Sequence, residues 1–183
     1  MKCVVLHSGG LDSTVCLLLA KSKGRTPVSL GIAYGQRHDV ELSYANAQCA
    51  RFGIERRMID VGWTRPDIVI PKDRSVAEMK AGIAPTFVPG RNAVFLALAC
   101  AEAAGVGAEE VWLGVNAVDY SGYPDCRDDT LKALQVAINL GMDRRFVLHT
   151  PLMWRDKAAT WRLAERLGGA GLVEAVRVHT HSC

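Results

Sequence analysis

Short apolar runs alternate with amphipathic segments along most of the chain, and this alternation predicts the fold class. The first run, Cys3-Val4-Val5-Leu6, contains no polar residue, which is typical of a strand covered on both faces. The helix predicted next, over residues 12–23, has Val15, Leu18 and Leu19 on one side. Strands that alternate with such helices form a parallel sheet between two helical layers. We therefore predict an α/β fold, a doubly wound parallel sheet of about five strands with helices on both faces.

The remaining predicted elements keep the same order. Strands are predicted over residues 27–33, 57–61, 110–115 and 146–149, and helices over 39–52, 93–104, 128–140 and 155–167, with a further turn or two over 172–178. Asn92 is the predicted N-cap of the helix over 93–104, which is apolar on nearly every side. Two long connections, 62–91 and 116–127, have the length that usually carries function.

Composition and charge exclude several classes of protein. The 183 residues fit one domain, and 49% apolar with 22% charged residues is ordinary for a folded protein. The net charge of +3 is weak, and no basic stripe indicates direct nucleic-acid binding. The pairs Arg56-Arg57 and Arg144-Arg145 are predicted to be solvated surface charges. No apolar run reaches the roughly 18 residues that a membrane span needs.

The cysteines and the N-terminus favour a cytoplasmic protein. None of the six cysteines forms a CxxC pair with another, and Cys3, Cys16, Cys49 and Cys100 fall inside predicted strands or helices. We expect these to be buried free thiols in a reducing compartment. Met1 and Lys2 lead directly into the first strand, so no signal peptide is predicted.

The motif that most narrows the function is the segment His7-Ser8-Gly9-Gly10-Leu11-Asp12-Ser13-Thr14, between the first strand and the first helix. The first N–H groups of a helix lack internal partners and carry partial positive charge. Glycines let the backbone approach an anion closely, and the hydroxyl groups add donors. We call residues 8–13 the phosphate loop and predict that it binds nucleotide phosphates. The predicted nucleotide-binding residues are His7, Ser8, Gly9, Gly10, Leu11, Asp12, Ser13, Thr14, Val15, Cys16 and Leu17.

The phosphate loop is neither a Walker A loop nor a GxGxxG loop, because it lacks the GK[ST] ending and the third glycine. A loop without the Walker A lysine suits enzymes that split ATP between the α- and β-phosphates. An ordinary glycine turn with Asp12 or Ser13 as helix cap is the structural alternative. The string SGGxDS after the first strand resembles the PP-loop of the ATP pyrophosphatase superfamily, which includes the synthetases for GMP, NAD, asparagine and argininosuccinate, and tRNA thiolases. This resemblance implies a HUP-like, Rossmann-type fold and Mg·ATP bound by its pyrophosphate.

Further polar strings follow the other predicted strands or open helices beside them, so the fold gathers them at one edge of the sheet. They are Tyr34-Gly35-Gln36-Arg37-His38, Thr86-Phe87-Val88-Pro89-Gly90-Arg91-Asn92, Gly114-Val115-Asn116, Asp119-Tyr120-Ser121-Gly122-Tyr123-Pro124-Asp125-Cys126-Arg127 and His149-Thr150-Pro151-Leu152-Met153-Trp154. Together with the phosphate loop they resemble the 7-cyano-7-deazaguanine synthase family of the queuosine pathway, over residues 3–183.

That resemblance implies the reaction. The substrate is 7-carboxy-7-deazaguanine, and ATP activates its carboxylate when a carboxylate oxygen attacks the α-phosphorus. Ammonia then gives the amide, and a second activation with dehydration gives the nitrile. Free ammonia is the expected nitrogen donor, because an ammonia-producing domain does not fit in 183 residues.

Side-chain chemistry suggests roles for the polar strings. A guanine-like ring presents two donors, and the carboxylate of Asp125 or Asp119 accepts both. The rings of Tyr120, Tyr123 and Phe87 have the shape to stack on it. Positive side chains neutralise the substrate carboxylate or the α-phosphate. The predicted catalytic residues are Arg91, Asp125, Arg127 and Lys157, and the predicted substrate-binding residues are Gln36, Arg37, Phe87, Asp119 and Tyr123.

Local structure is the alternative for each of these roles. Residues 122–125 equally predict a turn, and Arg91 is equally a surface charge. Gln36, Arg37 and His38 are candidates for ribose or phosphate contacts, and His38 is a weaker candidate for a general base.

The resemblance also implies a zinc site near the C-terminus, built from one cysteine, a gap and then CxxCxxC. Cys183 lies where the first of those cysteines belongs and is a candidate ligand. One cysteine does not complete a closed four-ligand site, so zinc is expected in the intact family site rather than in this chain. We therefore predict an ATP-binding domain over 1–178 and the start of a truncated zinc-binding segment over 179–183. A frayed terminal strand is the alternative explanation of the alternating His179, His181 and Cys183.

Two other functions remain open from the sequence. One is another PP-loop enzyme such as a tRNA thiolase, although a CxxC pair and an RNA-binding domain are not evident. The other is a nucleotide-binding protein without catalysis, for which the polar strings have no evident use. The apolar helix over 93–104 and the long connections leave room for a homodimer.

Overall fold

The computed structural model describes residues 1–34, 39–62 and 87–179, without the side chains of residues 39–41 and 179. In chain order the elements are β1 (Lys2–Leu6), α1 (Leu11–Ser22), β2 (Thr26–Ala33), α2 (Asp39–Phe52), β3 (Glu55–Asp60), α3 (Arg91–Val106), β4 (Glu110–Trp112), α4 (Ala117–Gly122), a 3-10 turn (Pro124–Cys126), α5 (Asp128–Met142), β5 (Val147–His149) and α6 (Lys157–His179).

The five strands form one parallel sheet in the order β3-β2-β1-β4-β5. β1 is central, with Val4 paired to Val28 of β2 on one side and to Val111 of β4 on the other. The strand order reverses between β1 and β4, and ligands of such sheets bind outside the carboxyl ends of the strands at this point. The predicted fold class is confirmed, and the phosphate loop follows the central strand.

Two hydrophobic cores lie on opposite faces of the sheet, because neighbouring strand residues point to opposite sides. Cys3 and Val5 face the core shared with α1 and α6, whereas Val4 faces the core shared with α3 and α5. α1 is buried almost all round, with Leu17 wholly inaccessible. Fully burying such a leucine contributes about 1.5–3 kcal/mol. The start of α1, and with it the phosphate loop, is therefore fixed by the packing of the whole helix.

Several predicted boundaries differ from the structure. The predicted N-cap Asn92 is wrong, because α3 begins at Arg91 after Gly90. The long connection 116–127 contains α4 and the 3-10 turn. The predicted helices 155–167 and 172–178 belong to one element, α6, which bends at Gly168 and Gly169. Gly169 has φ of 66°, a left-handed conformation that favours glycine.

The predicted buried thiols are confirmed. Cys3, Cys16, Cys49 and Cys100 are all at most 3% exposed and free of disulfides. Cys126 is also buried and free. Within the described part of the chain, no helix is both long and apolar enough to span a membrane.

Candidate nucleotide and substrate site

A backbone hydrogen bond and the dihedral angles of two glycines define how the chain turns from β1 into α1. The N–H of His7 donates to the carbonyl of Leu30 at 2.8 Å and so extends the β1–β2 ladder by one residue. Gly9 then takes φ of 97°, which a residue with a Cβ rarely adopts. Gly10 is the N-cap of α1 in an extended conformation. This turn redirects the chain from the sheet into the helix within four residues.

The N–H groups at the start of α1 remain available to an anion. Thr14 is the first residue whose N–H bonds back to the loop, to Gly10 O at 3.0 Å. Among the described residues, the N–H groups of Leu11, Asp12 and Ser13 have no acceptor. The hydroxyls of Ser8 and Ser13 lie 3.2 Å apart beside them. Unpaired N–H groups, a helix dipole and two hydroxyls together form an anion-binding site.

Asp12 and Lys157 meet next to these N–H groups. The Lys157 Nζ lies 3.2 Å from Asp12 Oδ2, although the two residues are far apart in the chain. The lysine side chain is half exposed, so the ion pair contributes little to stability. Asp12 Oδ1 is buried and has no hydrogen-bond partner in the described part of the chain. A ligand at this position therefore meets both a cation and a carboxylate oxygen.

Asp119 shares this electrostatic environment. Its Oδ2 accepts the N–H of Asn116 at 3.0 Å, and Asn116 Oδ1 accepts the N–H of Asp119 at 3.2 Å, so the two residues cap α4. Burial raises the pKa of Asp119 above its ordinary value, and the negative charge of Asp12 raises it further. The hydrogen bond from Asn116 and the charge of Lys157 oppose this rise.

Asp125 lies at the start of α3. It is 8% exposed, and its Oδ2 accepts the N–H of Asn92 at 3.1 Å. A carboxylate here compensates the unpaired N–H groups of the helix. Asp125 Oδ1 is buried without a partner among the residues that the structure describes. Burial raises the pKa of Cys126, the negative charges of Asp119 and Asp125 raise it further, and the positive charge of Arg91 opposes the rise, so all three charged groups act on this one thiol.

Aromatic rings flank the charged groups. The guanidinium of Arg91 lies 5.8 Å from the centre of the Tyr34 ring, a cation–π distance. The rings of Tyr120 and Trp154 are 5.2 Å apart, and Trp154 is 70% exposed. Phe87 and Tyr123 are both partly exposed. The rings of Tyr34, Tyr120 and Trp154 therefore pack against side chains that follow the strand ends.

Some predicted site residues are not joined to this group. Arg127 is exposed at the N-cap of α5, and its side chain makes no capping hydrogen bond there. Gln36, Arg37 and His38 lie outside the described residues, as do His181 and Cys183. Their predicted roles stay predictions.

The predicted nucleotide-binding range contains both buried and accessible side chains, and its role stays a prediction. The side chains of His7, Thr14, Val15, Cys16 and Leu17 are at most 2% exposed, because α1 packs into the core on nearly every side. A ligand at the sheet edge cannot reach these side chains. They support the phosphate loop from within, as does the buried side chain of Leu11. The accessible side chains of the range are those of Ser8, Asp12 and Ser13.

His7 is a buried neutral side chain. Burial and, to a smaller extent, the nearby guanidinium of Arg56 together lower its pKa from 6.5 to about 4, while the hydrogen bond to Gln48 opposes this change. The prediction that Arg56 is a solvated surface charge is wrong. Its Nη1 donates to His7 O at 3.2 Å and to Ser29 Oγ at 2.8 Å, because β3 lies beside β2 behind the loop.

Sequence reasoning missed several residues around the phosphate loop. Ser29, Gln48 and Arg56 reach it from β2, α2 and β3. The signal was a polar residue inside an otherwise apolar stripe, as with Gln48 beside Ala45 and Cys49. Gly114 packs flat against the loop, since a Cβ there would lie 2.8 Å from Asp12 C and Ser13 N. Only the tertiary structure reveals that contact.

Comparison with known proteins places the chain among related sequences. It matches the family described as "Queuosine biosynthesis protein QueC" over residues 2–183. It is 49% identical over 193 residues to a 7-cyano-7-deazaguanine synthase from Alkalilimnicola ehrlichii, an alignment that covers 98% of this chain and 81% of that protein.

Two solved structures share the fold. One is a predicted subunit of tRNA methyltransferase from Methanocaldococcus jannaschii, with a TM-score of 0.59 and 20% identity, covering 89% of this chain and 75% of that one. The other is a 4-thiouridine synthetase in complex with RNA and ATP, with a TM-score of 0.60 and 20% identity, covering 100% and 44%. At this identity the likeness concerns the fold alone.

Proposed function

Because the chain belongs to the QueC family of queuosine biosynthesis proteins, we propose that it acts as a 7-cyano-7-deazaguanine synthase. The proposed reaction consumes ATP and joins ammonia to 7-carboxy-7-deazaguanine, ending in the nitrile. A carboxylate is a poor electrophile, so one of its oxygens must become a leaving group before ammonia attacks. The enzyme is thus an ATP-dependent carbon–nitrogen ligase, for which we expect a cytoplasmic location.

The observation that carries the proposal is the set of unpaired N–H groups at Leu11, Asp12 and Ser13, with Lys157 beside them. Such N–H groups stabilise the pyrophosphate of ATP and the charge that develops as it leaves. The Lys157 ammonium donates a hydrogen bond to Asp12 beside the loop, so its positive charge lies where negative charge develops on the pyrophosphate. The ion pair holds the flexible lysine side chain near the loop.

Asp125 is the proposed reader of the deazaguanine ring. Its Oδ1 is buried without a partner in the described part of the chain, while Oδ2 is engaged by Asn92. A buried unpaired carboxylate oxygen is costly, and an N–H donor of the ring relieves that cost. Arg91 and Asp119 lie near enough to Cys126 to share its electrostatic environment, which supports their roles at the same substrate.

The residues present fit a magnesium ion bound with ATP. Mg²⁺ prefers carboxylate and phosphate oxygens, and Asp12 offers a buried oxygen without a partner among described residues. Asp12 would hold the ion, which when bound neutralises phosphate charge. A zinc site at Cys183 and a homodimer remain predictions.

Direct assay tests this function. The chain is incubated with ATP, magnesium, ammonia and 7-carboxy-7-deazaguanine, and the nitrile is followed by mass spectrometry. Asp12→Asn should lower kcat/KM by roughly 10²–10³-fold, the usual effect of removing one group that stabilises transition-state charge. Asp143→Asn is the matched control, because Asp143 is exposed at the C-terminal end of α5, which leads into the amino end of β5. Its activity should equal that of the unchanged chain.

The alternatives predict other results. A tRNA thiolase would consume ATP with tRNA and a sulfur donor and make no nitrile. A non-catalytic nucleotide binder would bind ATP without releasing AMP or pyrophosphate. Either result would refute the proposed function, whereas full activity of Asp12→Asn would refute the role given to Asp12.

A further inference from the structure

Three carbonyl groups of the phosphate loop and the residue before it, those of His7, Gly9 and Gly10, are held from behind by side chains. His7 O accepts from Arg56 Nη1 at 3.2 Å, and Gly9 O accepts from Gln48 Nε2 at 3.2 Å. Gly10 O accepts from Thr14 Oγ1 at 2.7 Å and from Ser13 Oγ at 3.1 Å. A surface turn would leave such carbonyls to water. Here side chains from β3, α2 and α1 hold them.

Holding a carbonyl also aims the next N–H. The peptide group is planar and trans, so the C=O of one residue and the N–H of the next point in opposite directions. A bond to Gly9 O therefore directs the N–H of Gly10 away from the protein interior and towards Ser8 Oγ, 3.4 Å away, and a bond to Gly10 O directs that of Leu11. The interior side chains thus set the direction of the N–H groups that face a phosphate.

The hydrogen bonds behind the loop run in one direction. Gly9 O needs a donor, so the Gln48 amide must turn its Nε2 towards it, and Gln48 Oε1 then faces His7 Nε2 at 2.8 Å. Neutral His7 must donate through Nε2 and accept at Nδ1. Ser29 Oγ lies 2.9 Å from Nδ1, and Ser29 in turn accepts from Arg56 Nη1 at 2.8 Å. We call Arg56–Ser29–His7–Gln48–Gly9 the loop relay.

The loop relay lies in a dry part of the core. His7, Ser29 and Gln48 are each at most 2% exposed. Hydrogen bonds in such an environment strengthen one another, and a broken one leaves an unpaired polar group. Gly31 makes room for the guanidinium, since a Cβ there would lie 2.6 Å from Arg56 Nη2. The guanidinium of Arg56 therefore fits behind the loop only because residue 31 of β2 has no side chain.

We propose that Gln48 and Arg56 are positioning residues that aim the phosphate-loop N–H groups at the ATP pyrophosphate through the loop relay. The inference rests on the proposed use of ATP at this loop. It adds two residues that never touch the nucleotide, one from α2 and one from β3.

ATP affinity is the first test, measured by titration calorimetry without the acid substrate. Gln48→Leu removes the donor to Gly9 O, and the Kd for ATP should rise by about tenfold, as for loss of one hydrogen bond to a charged group. Gln135→Leu is the matched control. Gln135 lies on α5, away from the loop, and its Oε1 accepts the N–H of Leu148 on β5. It should lose comparable stability and bind ATP like the unchanged chain. Equal Kd values for the two variants would overturn the proposal.

Arg56 provides an independent pair of variants. Arg56→Met should raise the KM for ATP severalfold with a smaller change in the KM for the acid, and Arg56→Lys should restore most of the loss because it keeps a charged donor. Arg57→Met is the matched control, since neighbouring Arg57 is exposed and pairs with Glu55 and Glu102 on the surface. Equal changes in both KM values would indicate general loosening of the structure and would refute a positioning role.

The position of the proton on the His7 ring tests the loop relay without an activity assay. Nitrogen-15 NMR of the unchanged chain, with His7→Phe used for assignment, should show the proton on Nε2 at pH 7. A proton on Nδ1 would break the proposed direction and overturn the inference. If the chain binds ATP but forms no nitrile, the proposed function fails while the relay stands. If it does not bind ATP at all, both fail.

Discussion

Replacing Gly114 by alanine places a methyl group against the backbone of the phosphate loop. The added Cβ would lie 2.8 Å from Asp12 C and Ser13 N, and 2.9 Å from Ser13 Cα. Gly114 does not have a left-handed φ, so alanine meets no backbone strain there. The neighbours are main-chain atoms, which cannot rotate away as a flexible side chain can. The substitution therefore acts on the position of the loop.

The size of the effect follows from these distances. Carbon atoms normally stay about 3.5 Å apart, so the loop or the end of β4 must move by about 0.7 Å. Because a misplacement of about 1 Å can cost about 100-fold in rate, we expect kcat/KM to fall by about tenfold to 100-fold. Overpacking of this kind also costs about 1–3 kcal/mol in the free energy of unfolding. That loss lowers Tm by roughly 2–4 °C per kcal/mol in a chain of this size.

Steady-state kinetics and calorimetry on Gly114→Ala check both numbers. Gly105→Ala is the control, because a Cβ at Gly105 meets nothing within 4 Å and the residue lies in α3. It should leave kcat/KM unchanged and stabilise the chain by about 0.5–1 kcal/mol. If Gly114→Ala keeps kcat/KM within about twofold, the loop does not need the position seen here, given the steep dependence of rate on geometry.

Two further substitutions test the buried titratable groups His7 and Glu110. The lowered pKa of His7 means that the unfolded chain binds the proton more readily, so its contribution to stability is complete above pH 6.5 and is lost as the pH falls towards 4. Between pH 7 and pH 5 the unchanged chain should therefore lose about 2 kcal/mol more than His7→Phe in urea unfolding, and equal losses would show that His7 titrates normally. At the opposite edge of the sheet, Glu110 accepts Arg25 Nη2 at 2.8 Å and Trp112 Nε1 at 3.1 Å, so Glu110→Ala should cost about 1–3 kcal/mol. The kcat/KM of Glu110→Ala should equal that of the unchanged chain, because Glu110 lies at the amino end of β4. A tenfold fall would contradict the placement of the site at the carboxyl ends of the strands.

The identification of the family required only local strings. The residues SGGLDS and the strings after the other strands resembled the family, and the match over residues 2–183 confirms that resemblance. Short strings carry this information because the chemistry at each strand end depends on a few adjacent residues. The roles of single residues were not settled in this way, and those of Arg91, Asp125, Arg127 and Lys157 stay predictions.

The sequence by itself determined the alternation of strands and helices, the parallel sheet and the position of the phosphate loop, because apolar periodicity and helix N-termini are local properties. Only the tertiary structure brought Asp12 to Lys157, Gly114 to Ser13, and Gln48 with Arg56 to the back of the loop. These contacts join elements distant in the chain, and the order of strands decides which of them meet. For the same reason Arg56, which looked solvated in the sequence, is partly buried, since β3 packs beside β2 behind the loop.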